Sequence, residues 1–350
     1  MSEKYCPKCN APIELKRTGY GTEVSSCKLC GYNEITGQTE FKEKRGNLGQ
    51  PRDKKNMWGW EPSLTLFTVI IQLVTGSYLT ILITKYLFPQ SSSLSQTTLT
   101  FLWIPAVIGM LISVSHGKNI LTVVNMFRTV GSSQLSREVL FLLIFTILLI
   151  LYPLRGFLIP ASTPLVIHDI VSIIIGVVAV ASMARIYNLP SRPCWNHVYT
   201  PISFTLTLLI LGPTAFLMTM SFLSGNILLL QQFLTYSLIF VAILSLIDIL
   251  AFRGYRLFLK SGGDDLKTCL VELESRKHLL KTKIALRYIT ILVAVASIFS
   301  TYLSTSTIGI MLSICFVVSL SCEIISRALF YSTLGISIGE QRFLKSIRRL

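Results

Sequence analysis

Eight apolar segments, each long enough to cross the hydrocarbon core of a lipid bilayer, dominate this sequence of 350 residues. A helix needs roughly 17 to 25 apolar residues to cross about 30 Å of hydrocarbon, and each segment must satisfy its own backbone hydrogen bonds in lipid. With 51% hydrophobic and 14% charged residues, the composition excludes an ordinary soluble domain. We therefore predict an all-α integral membrane protein with eight transmembrane helices, at residues 62–86, 98–116, 137–158, 165–188, 200–223, 227–250, 284–304 and 307–334.

The segment before the first span is polar, charged and cysteine-bearing, without the apolar core of a secretory signal peptide. We expect it to form a soluble appendage. The predicted domains are a zinc ribbon at 1–35, a flexible basic linker at 36–59, an eight-span domain at 60–339 and a basic cytoplasmic tail at 340–350.

The Lys and Arg residues, which give a formal net charge of +15, lie beside alternate ends of the membrane spans. They gather before the first span, after the second, fourth and sixth spans, and at the carboxyl end, whereas the opposite connections carry only Lys85 and Arg155. No aromatic residues interleave them as in a nucleic-acid-binding surface, so we expect no nucleic acid but the lipid bilayer as a partner. The positive-inside rule predicts a multi-pass protein of the cell (cytoplasmic) membrane with both termini in the cytoplasm.

Four cysteines in the amino-terminal segment have the spacing C-x2-C-x17-C-x2-C. Four thiolates at such spacing favour a structural zinc ion, which supplies folding energy that so short a segment lacks. A rubredoxin-like iron site and a pair of disulfides are the alternatives, and a reducing cytoplasm argues against disulfides. The predicted zinc ligands are Cys6, Cys9, Cys27 and Cys30. We expect the other four to be apolar packing residues: Cys194, Cys269, Cys315 and Cys322.

Ionisable residues at the span ends are candidate functional groups, because a charge in lipid is costly. His116 and Glu138 lie on opposite sides of the connection between the second and third spans, and therefore at the same depth. A neutral histidine and a carboxylate can accept the two protons released when a quinol is oxidised. Alternatively, His116 caps a helix and Glu138 faces water in the first turn of its span, where a carboxylate suits the helix dipole. A haem would need two facing histidines, for which His116 and His197 are the candidate pair, and we expect no haem.

Other polar residues lie at or near the ends of later spans. Glu323 and Arg327 are four residues apart and can form an ion pair along one face of the last helix. The connection at 253–283 carries charges of both signs, which predicts a partly helical surface element that contacts a partner subunit or lies against anionic lipid headgroups. The remaining candidates of this kind are Arg185, Tyr187 and Asn188 at the end of the fourth span and Asp248 with Arg253 at the end of the sixth.

From Trp60 to Gly339 the sequence resembles the membrane anchor subunits of dimethyl sulfoxide reductase-type molybdenum enzymes. The resemblance covers all eight spans and leaves the cysteine-bearing segment outside. The order and spacing of six stretches carry it: "EPSLTLFTVIIQLVTGSYL", "SVSHGKN", "NMFRTVGSSQLSREV", "MARIYN", "TPISFTLTLLILGP" and "CEIISRALFY".

The resemblance implies a quinol-oxidising anchor that passes electrons from menaquinol to an iron–sulfur subunit, which supplies a molybdopterin catalytic subunit. The quinol-site histidine and glutamate of the family fall on His116 and Glu138, with the same separation. The quinol pocket is also expected to contain Lys118, Asn125, Arg128, Arg185 and Tyr187.

The sequence departs from the family in two respects. Gly117 and Lys118 replace a Leu-Gly pair after the histidine, and the loop arginines of the family are shifted here. In addition, the charge pattern places the amino end inside, whereas it faces outward in the best-known members. A multispan secondary transporter, which should show inverted repeats and broken helices at mid-membrane, and a zinc-ribbon membrane scaffold are the alternative functions.

Overall fold

A computed structural model describes residues 14–17, 23–26, 33–35, 62–88, 92–116, 130–131, 133–158, 165–189, 192–223, 231–300 and 305–333. The protein divides into two units, Met1–Trp58 and Gly59–Leu350.

The amino-terminal unit contains a small antiparallel sheet of three strands in the order β1-β2-β3. The register places Leu15 opposite Ser25, and Ser25 opposite Glu34. The strands are β1 (Glu14–Arg17), β2 (Glu23–Ser26) and β3 (Asn33–Ile35). The predicted zinc ligands Cys6, Cys9, Cys27 and Cys30 lie outside the described residues, as do the linker at 36–59 and the tail at 340–350.

The second unit is a helical bundle. In the part of the protein that the structure describes, eight helical segments are long and apolar enough to cross a membrane, which confirms the predicted fold class. Its helices are α1 (Pro62–Leu87), α2 (Ser92–Phe101), α3 (Trp103–His116), α4 (Gln134–Leu158), α5 (Leu165–Tyr187), α6 (Tyr199–Leu223), α7 (Gln231–Ser261), α8 (Asp264–Ser275), α9 (Lys277–Ser300) and α10 (Thr305–Ser332).

The second span is built from α2 and α3, and every other span is one helix. The helix is interrupted at Leu102. Pro105 has no backbone N–H, so the carbonyl of Phe101, four residues earlier, receives no helical hydrogen bond from it. Successive spans alternate in direction. One face of the bundle, here called the amino-terminal face, therefore carries the starts of α1, α4, α6 and α9 and the ends of α3, α5, α7 and α10.

The sixth and seventh spans extend further than the sequence predicts. We expected the sixth to end at 250 and the seventh to begin at 284, but α7 continues to Ser261 and α9 begins at Lys277. Between them, α8 is amphipathic and too polar to be a span. The connection at 253–283 is thus almost wholly helical, in agreement with the predicted partly helical element.

The helices α1 and α6 form the centre of the bundle. Within their most apolar stretches, 72% of the α1 residues and 67% of the α6 residues are buried, against 28–44% in the other six spans. Gly76 and Gly212 lie where the two backbones meet, and a Cβ at Gly76 would overlap the carbonyl oxygen of Leu208. Small residues allow helices to approach this closely in a membrane. The outer spans expose apolar side chains such as Ile174 and Leu292, as lipid contact requires.

Candidate functional site

Glu138 is buried at the amino-terminal face. It is the fifth residue of α4 and only 6% of its surface is exposed, so the alternative in which Glu138 faces water is wrong. The preceding residue, Arg137, is exposed and donates hydrogen bonds to the carbonyl oxygens of Val130 (3.0 Å) and Gly131 (2.6 Å). Because side chains one residue apart on a helix point about 100° apart, Arg137 binds the loop while Glu138 enters the bundle.

The other predicted residues of this connection are described only in part. His116 is the last residue of α3, which places its backbone at the same face as Glu138. Its side chain, and the whole of Lys118, Asn125 and Arg128, lie outside the described residues. Their part in a quinol pocket stays a prediction.

Tyr187 lies inside the same end of the bundle. Its hydroxyl oxygen is 3.1 Å from that of Tyr331, which is 3.5 Å from Thr68 Oγ1. The helices α1, α5 and α10 thus supply one cluster of hydroxyl groups, at the same face of the bundle as Glu138. Four aromatic rings lie within 5.8 Å of the Tyr187 ring, centroid to centroid: Trp195, Phe204, Phe330 and Tyr331.

Arg185 lies beside Tyr187 in sequence but in different surroundings. With Asn188 it lines a groove of about 350 Å³ between α5 and α6, whose other walls are mainly apolar. The Asn188 Oδ1 atom is buried and accepts no hydrogen bond from any described residue. The groove therefore has at one end a cation and an amide oxygen that no described residue binds, with an apolar channel beyond them. It extends along Val177, Val180, Ala181 and Leu208.

A buried ionic network joins α7, α9 and α10. Arg287 donates from Nη2 to Glu323 Oε1 at 2.6 Å and from Nε to Asp248 Oδ2 at 3.0 Å. Lys283 lies 3.8 Å from the same oxygen of Asp248 and donates to the Tyr199 hydroxyl at 2.8 Å. All four charged side chains are at most 3% exposed. Such pairs hold helices in one arrangement, because loss of either partner leaves a charge uncompensated in a medium of low dielectric constant.

Arg327 binds neutral partners instead. Its Nη2 donates to Gln72 Oε1 (3.1 Å) and Thr207 Oγ1 (3.0 Å), and the Thr207 hydroxyl donates to Glu323 Oε2 (2.8 Å). The predicted direct pair of Glu323 with Arg327 is therefore wrong. Thr207 bridges the two side chains, and Arg287 takes the carboxylate.

Sequence reasoning missed the role of Lys283 and Arg287, which it counted only among the cations that orient the spans. Lys283 falls inside a helix because α9 begins at Lys277 instead of 284, and both side chains are buried against Asp248 of α7. One signal was available: the two residues are four apart, and therefore on one face of a helix, as are Glu323 and Arg327.

Two of the scattered cysteines are also brought together. Cys194, in the connection between α5 and α6, and Cys269, in α8, lie side by side with Cα atoms 6.2 Å apart, a separation that a disulfide can bridge. Sequence reasoning treated them as scattered packing residues and did not predict that they meet. Both are buried in an aromatic cluster with Trp195, Tyr199 and Tyr255.

Comparison with known proteins identifies the family. The sequence model described as DMSO reductase anchor subunit (DmsC) matches residues 57–333, which include all eight spans. The C subunit of the anaerobic dimethyl sulfoxide reductase of Escherichia coli (strain K12) is 30% identical over 164 residues, 44% of this protein and 56% of the relative. The anaerobic dimethyl sulfoxide reductase subunit YnfH of the same organism is 29% identical over 161 residues, 44% of this protein and 56% of that relative. The corresponding C subunit of Haemophilus influenzae is 31% identical over 161 residues, 44% of this protein and 57% of that relative.

The matched segment spans little more than half the length of these curated relatives. The family match is broader, covers the segments that carry the resemblance found in the sequence, and does not support a secondary transporter. This protein is a multi-pass membrane protein that belongs to the DMSO reductase anchor subunit family.

Proposed function

We propose that this protein anchors a dimethyl sulfoxide reductase-type complex in the cytoplasmic membrane and oxidises menaquinol there. Each quinol gives up two protons and two electrons and becomes a quinone. The electrons pass to an iron–sulfur subunit and from it to a molybdopterin catalytic subunit. The charge pattern supports a cytoplasmic position for both termini and for the amino-terminal face.

The observation that carries this proposal is the burial of Glu138 at a membrane surface. Burial of a carboxylate costs desolvation free energy, so a carboxylate buried in a membrane protein is a candidate functional group. Accepting a proton from a quinol hydroxyl is such a function, and a positioned acid or base typically contributes about 10²–10⁴-fold to a rate. His116, at the end of the adjacent span, is proposed as the second proton acceptor.

The groove between α5 and α6 supports a place for the quinol. Its apolar walls fit an isoprenoid tail, while Arg185 and Asn188 Oδ1 at its end can bind a polar ring. Tyr187 follows Arg185 on the same helix end and lies at the same face of the bundle as Glu138. A hydroxylated ring bound at Asn188 would thus lie at the same face as the proposed proton acceptors.

The amino-terminal unit is proposed to be a structural zinc ribbon. Strands β1 and β2 lie between the two cysteine pairs in the sequence, and β3 follows the second pair. Two knuckles that flank a hairpin suit four tetrahedral thiolates. Cys6, Cys9, Cys27 and Cys30 would hold the ion, and its contribution would be folding energy, not chemistry.

The test is a comparison of two electron donors in membranes that contain the whole complex. Glu138→Gln and His116→Ala should reduce menaquinol-driven turnover by at least about 100-fold, while turnover driven by an artificial dye that donates directly to the partner subunits stays unchanged. Glu272→Gln, a half-exposed carboxylate of α8, is the matched control and should retain both activities. Full menaquinol oxidation by Glu138→Gln would contradict the proposed site.

A further inference from the structure

A second cavity, at the same face but between α7 and α9, has a different chemical character. It encloses about 330 Å³. Four cations line it against one carboxylate, and that carboxylate is already bound by two of the four. The lining residues that matter are Asp248, Arg253, Arg256, Lys283, Arg287 and Tyr288.

The buried network behind this cleft has more positive than negative groups. Lys283, Arg287 and Arg327 are the cations, and Asp248 and Glu323 are the carboxylates. Arg287 Nη1 is buried with no hydrogen-bond partner among the described residues, and Arg256 Nε is in the same situation. Buried N–H donors of a charged group are costly to leave unpaired. The arrangement therefore offers an anion an excess of positive charge and two unpaired N–H donors.

The depth of the cleft indicates where that anion comes from. α7 has 31 residues, about 46 Å at 1.5 Å per residue, and so extends beyond a hydrocarbon core of about 30 Å. Leu250 is 58% exposed, as expected of a lipid-facing side chain, and Arg253 follows three residues later. The cleft thus lies at the level of the lipid headgroups. Tyr288, 52% exposed at its edge, has the position of an interfacial aromatic residue.

We propose that the cleft between α7 and α9 binds the phosphodiester group of an anionic phospholipid. Arg253 and Arg256 reach the phosphate from the headgroup side, and Arg287 and Lys283 provide positive charge from within. The acyl tails continue over the exposed apolar side chains of the same two helices, such as Leu250 and Leu292. The ion pair of Arg256 with Glu274, at 3.4 Å and with the carboxylate 53% exposed, is weak enough to yield to a phosphate.

A phospholipid fits these observations better than free phosphate does. Basic pockets between membrane helices bind phospholipid headgroups, because charge and apolar contact act together there. Free phosphate would use the same arginines but would gain nothing from Leu250 and Leu292. This difference separates the two sources experimentally.

The experiment is a lipid titration of the purified, delipidated full-length protein, followed by native mass spectrometry. Phosphatidylglycerol should bind at least about tenfold more tightly than phosphatidylcholine, and inorganic phosphate at millimolar concentration should not compete. Arg253→Gln with Arg256→Gln should weaken phosphatidylglycerol binding by about 30-fold, since each surface cation contributes about 1 kcal/mol and about 1.4 kcal/mol is tenfold. Arg253→Lys with Arg256→Lys should retain most of the binding.

The matched control is Lys277→Gln with Lys281→Gln, which removes the same charge from exposed positions of α9 outside the cleft. This variant should bind phosphatidylglycerol within about threefold of the wild type. If the two double Gln variants lose phosphatidylglycerol affinity equally, the lipid is held by diffuse surface attraction and not by the cleft. Equal affinity of the wild type for phosphatidylglycerol and phosphatidylcholine would overturn the proposal. Displacement by inorganic phosphate would assign the cleft to free phosphate instead. The lipid comparison on the wild-type protein decides the question even if the Gln variant fails to fold.

Discussion

Arg287 on the seventh span and Glu323 on the eighth form a buried ion pair, with Nη2 and Oε1 2.6 Å apart and neither side chain more than 2% exposed. The same guanidinium also binds Asp248 on the sixth span. One buried side chain thus joins three helices.

Removal of the Glu323 charge should destabilise the bundle strongly. Breaking a buried pair typically costs about 3–5 kcal/mol, and we expect about 3 kcal/mol for Glu323→Gln because Arg287 keeps Asp248. The control is Glu272→Gln, which removes the half-exposed pair with Arg276 and should cost less than about 1 kcal/mol. Unfolding of the detergent-solubilised protein measures both. If Glu323→Gln lowers the free energy of unfolding as little as Glu272→Gln does, the buried network contributes no more stability than a surface ion pair.

The contact of α1 with α6 should tolerate no added methyl group. Gly76→Ala and Gly212→Ala would each place a Cβ against the backbone of the opposite helix, so both should lower stability and the yield of folded protein. Gly254→Ala, in α7 with open space around it, should be neutral or slightly stabilising, because alanine favours a helix by about 1 kcal/mol over glycine. Normal yield and stability of Gly76→Ala would mean that the two helices are further apart than described.

Asn188 should contribute to quinol affinity without being needed for turnover itself. Asn188→Ala removes one acceptor in the groove, worth about 0.5–1.5 kcal/mol, so the KM for menaquinol should rise about 3- to 10-fold with little change in kcat. Asn196→Ala, an exposed asparagine in the same connection, should leave KM unchanged. A fall in kcat at constant KM would instead assign Asn188 to the chemical step.

The orientation predicted from charge has a consequence for two cysteines. Cys194 and Cys269 lie at the amino-terminal face, 6.2 Å apart between Cα atoms, a separation that a disulfide can bridge. If this face is cytoplasmic, both should be reduced thiols in growing cells and should link only after oxidant is added. Alkylation of denatured membranes, with reporter fusions at both termini, measures this. A disulfide in untreated cells would place the face, and the termini, on the oxidising side.

Purified full-length protein should contain one zinc ion. Cys27→Ser with Cys30→Ser should lose it, because two thiolates cannot hold zinc in a closed tetrahedral site. Cys315→Ala, a buried cysteine of the last span, is the control and should keep the metal. Red protein that contains iron, or the absence of any metal, would contradict the ribbon.

Sequence alone determined the number of spans, their order and the family. Lipid makes this possible: each crossing segment must be long, apolar and helical, so local composition is enough to recognise it. It also placed His116 and Glu138 at one depth, since each residue is within a few positions of a span end.

The tertiary structure decided which charges are buried and with which partners. Arg287 lies 39 residues from Asp248 and 36 from Glu323, and its spacing from Lys283 indicates a shared helix face without identifying the partners. Similarly, Gly76 resembles any small residue until α6 brings Gly212 against it. A residue is buried when side chains of other helices pack against it. The packing between distant segments decides this, and the residues next to it in the sequence do not.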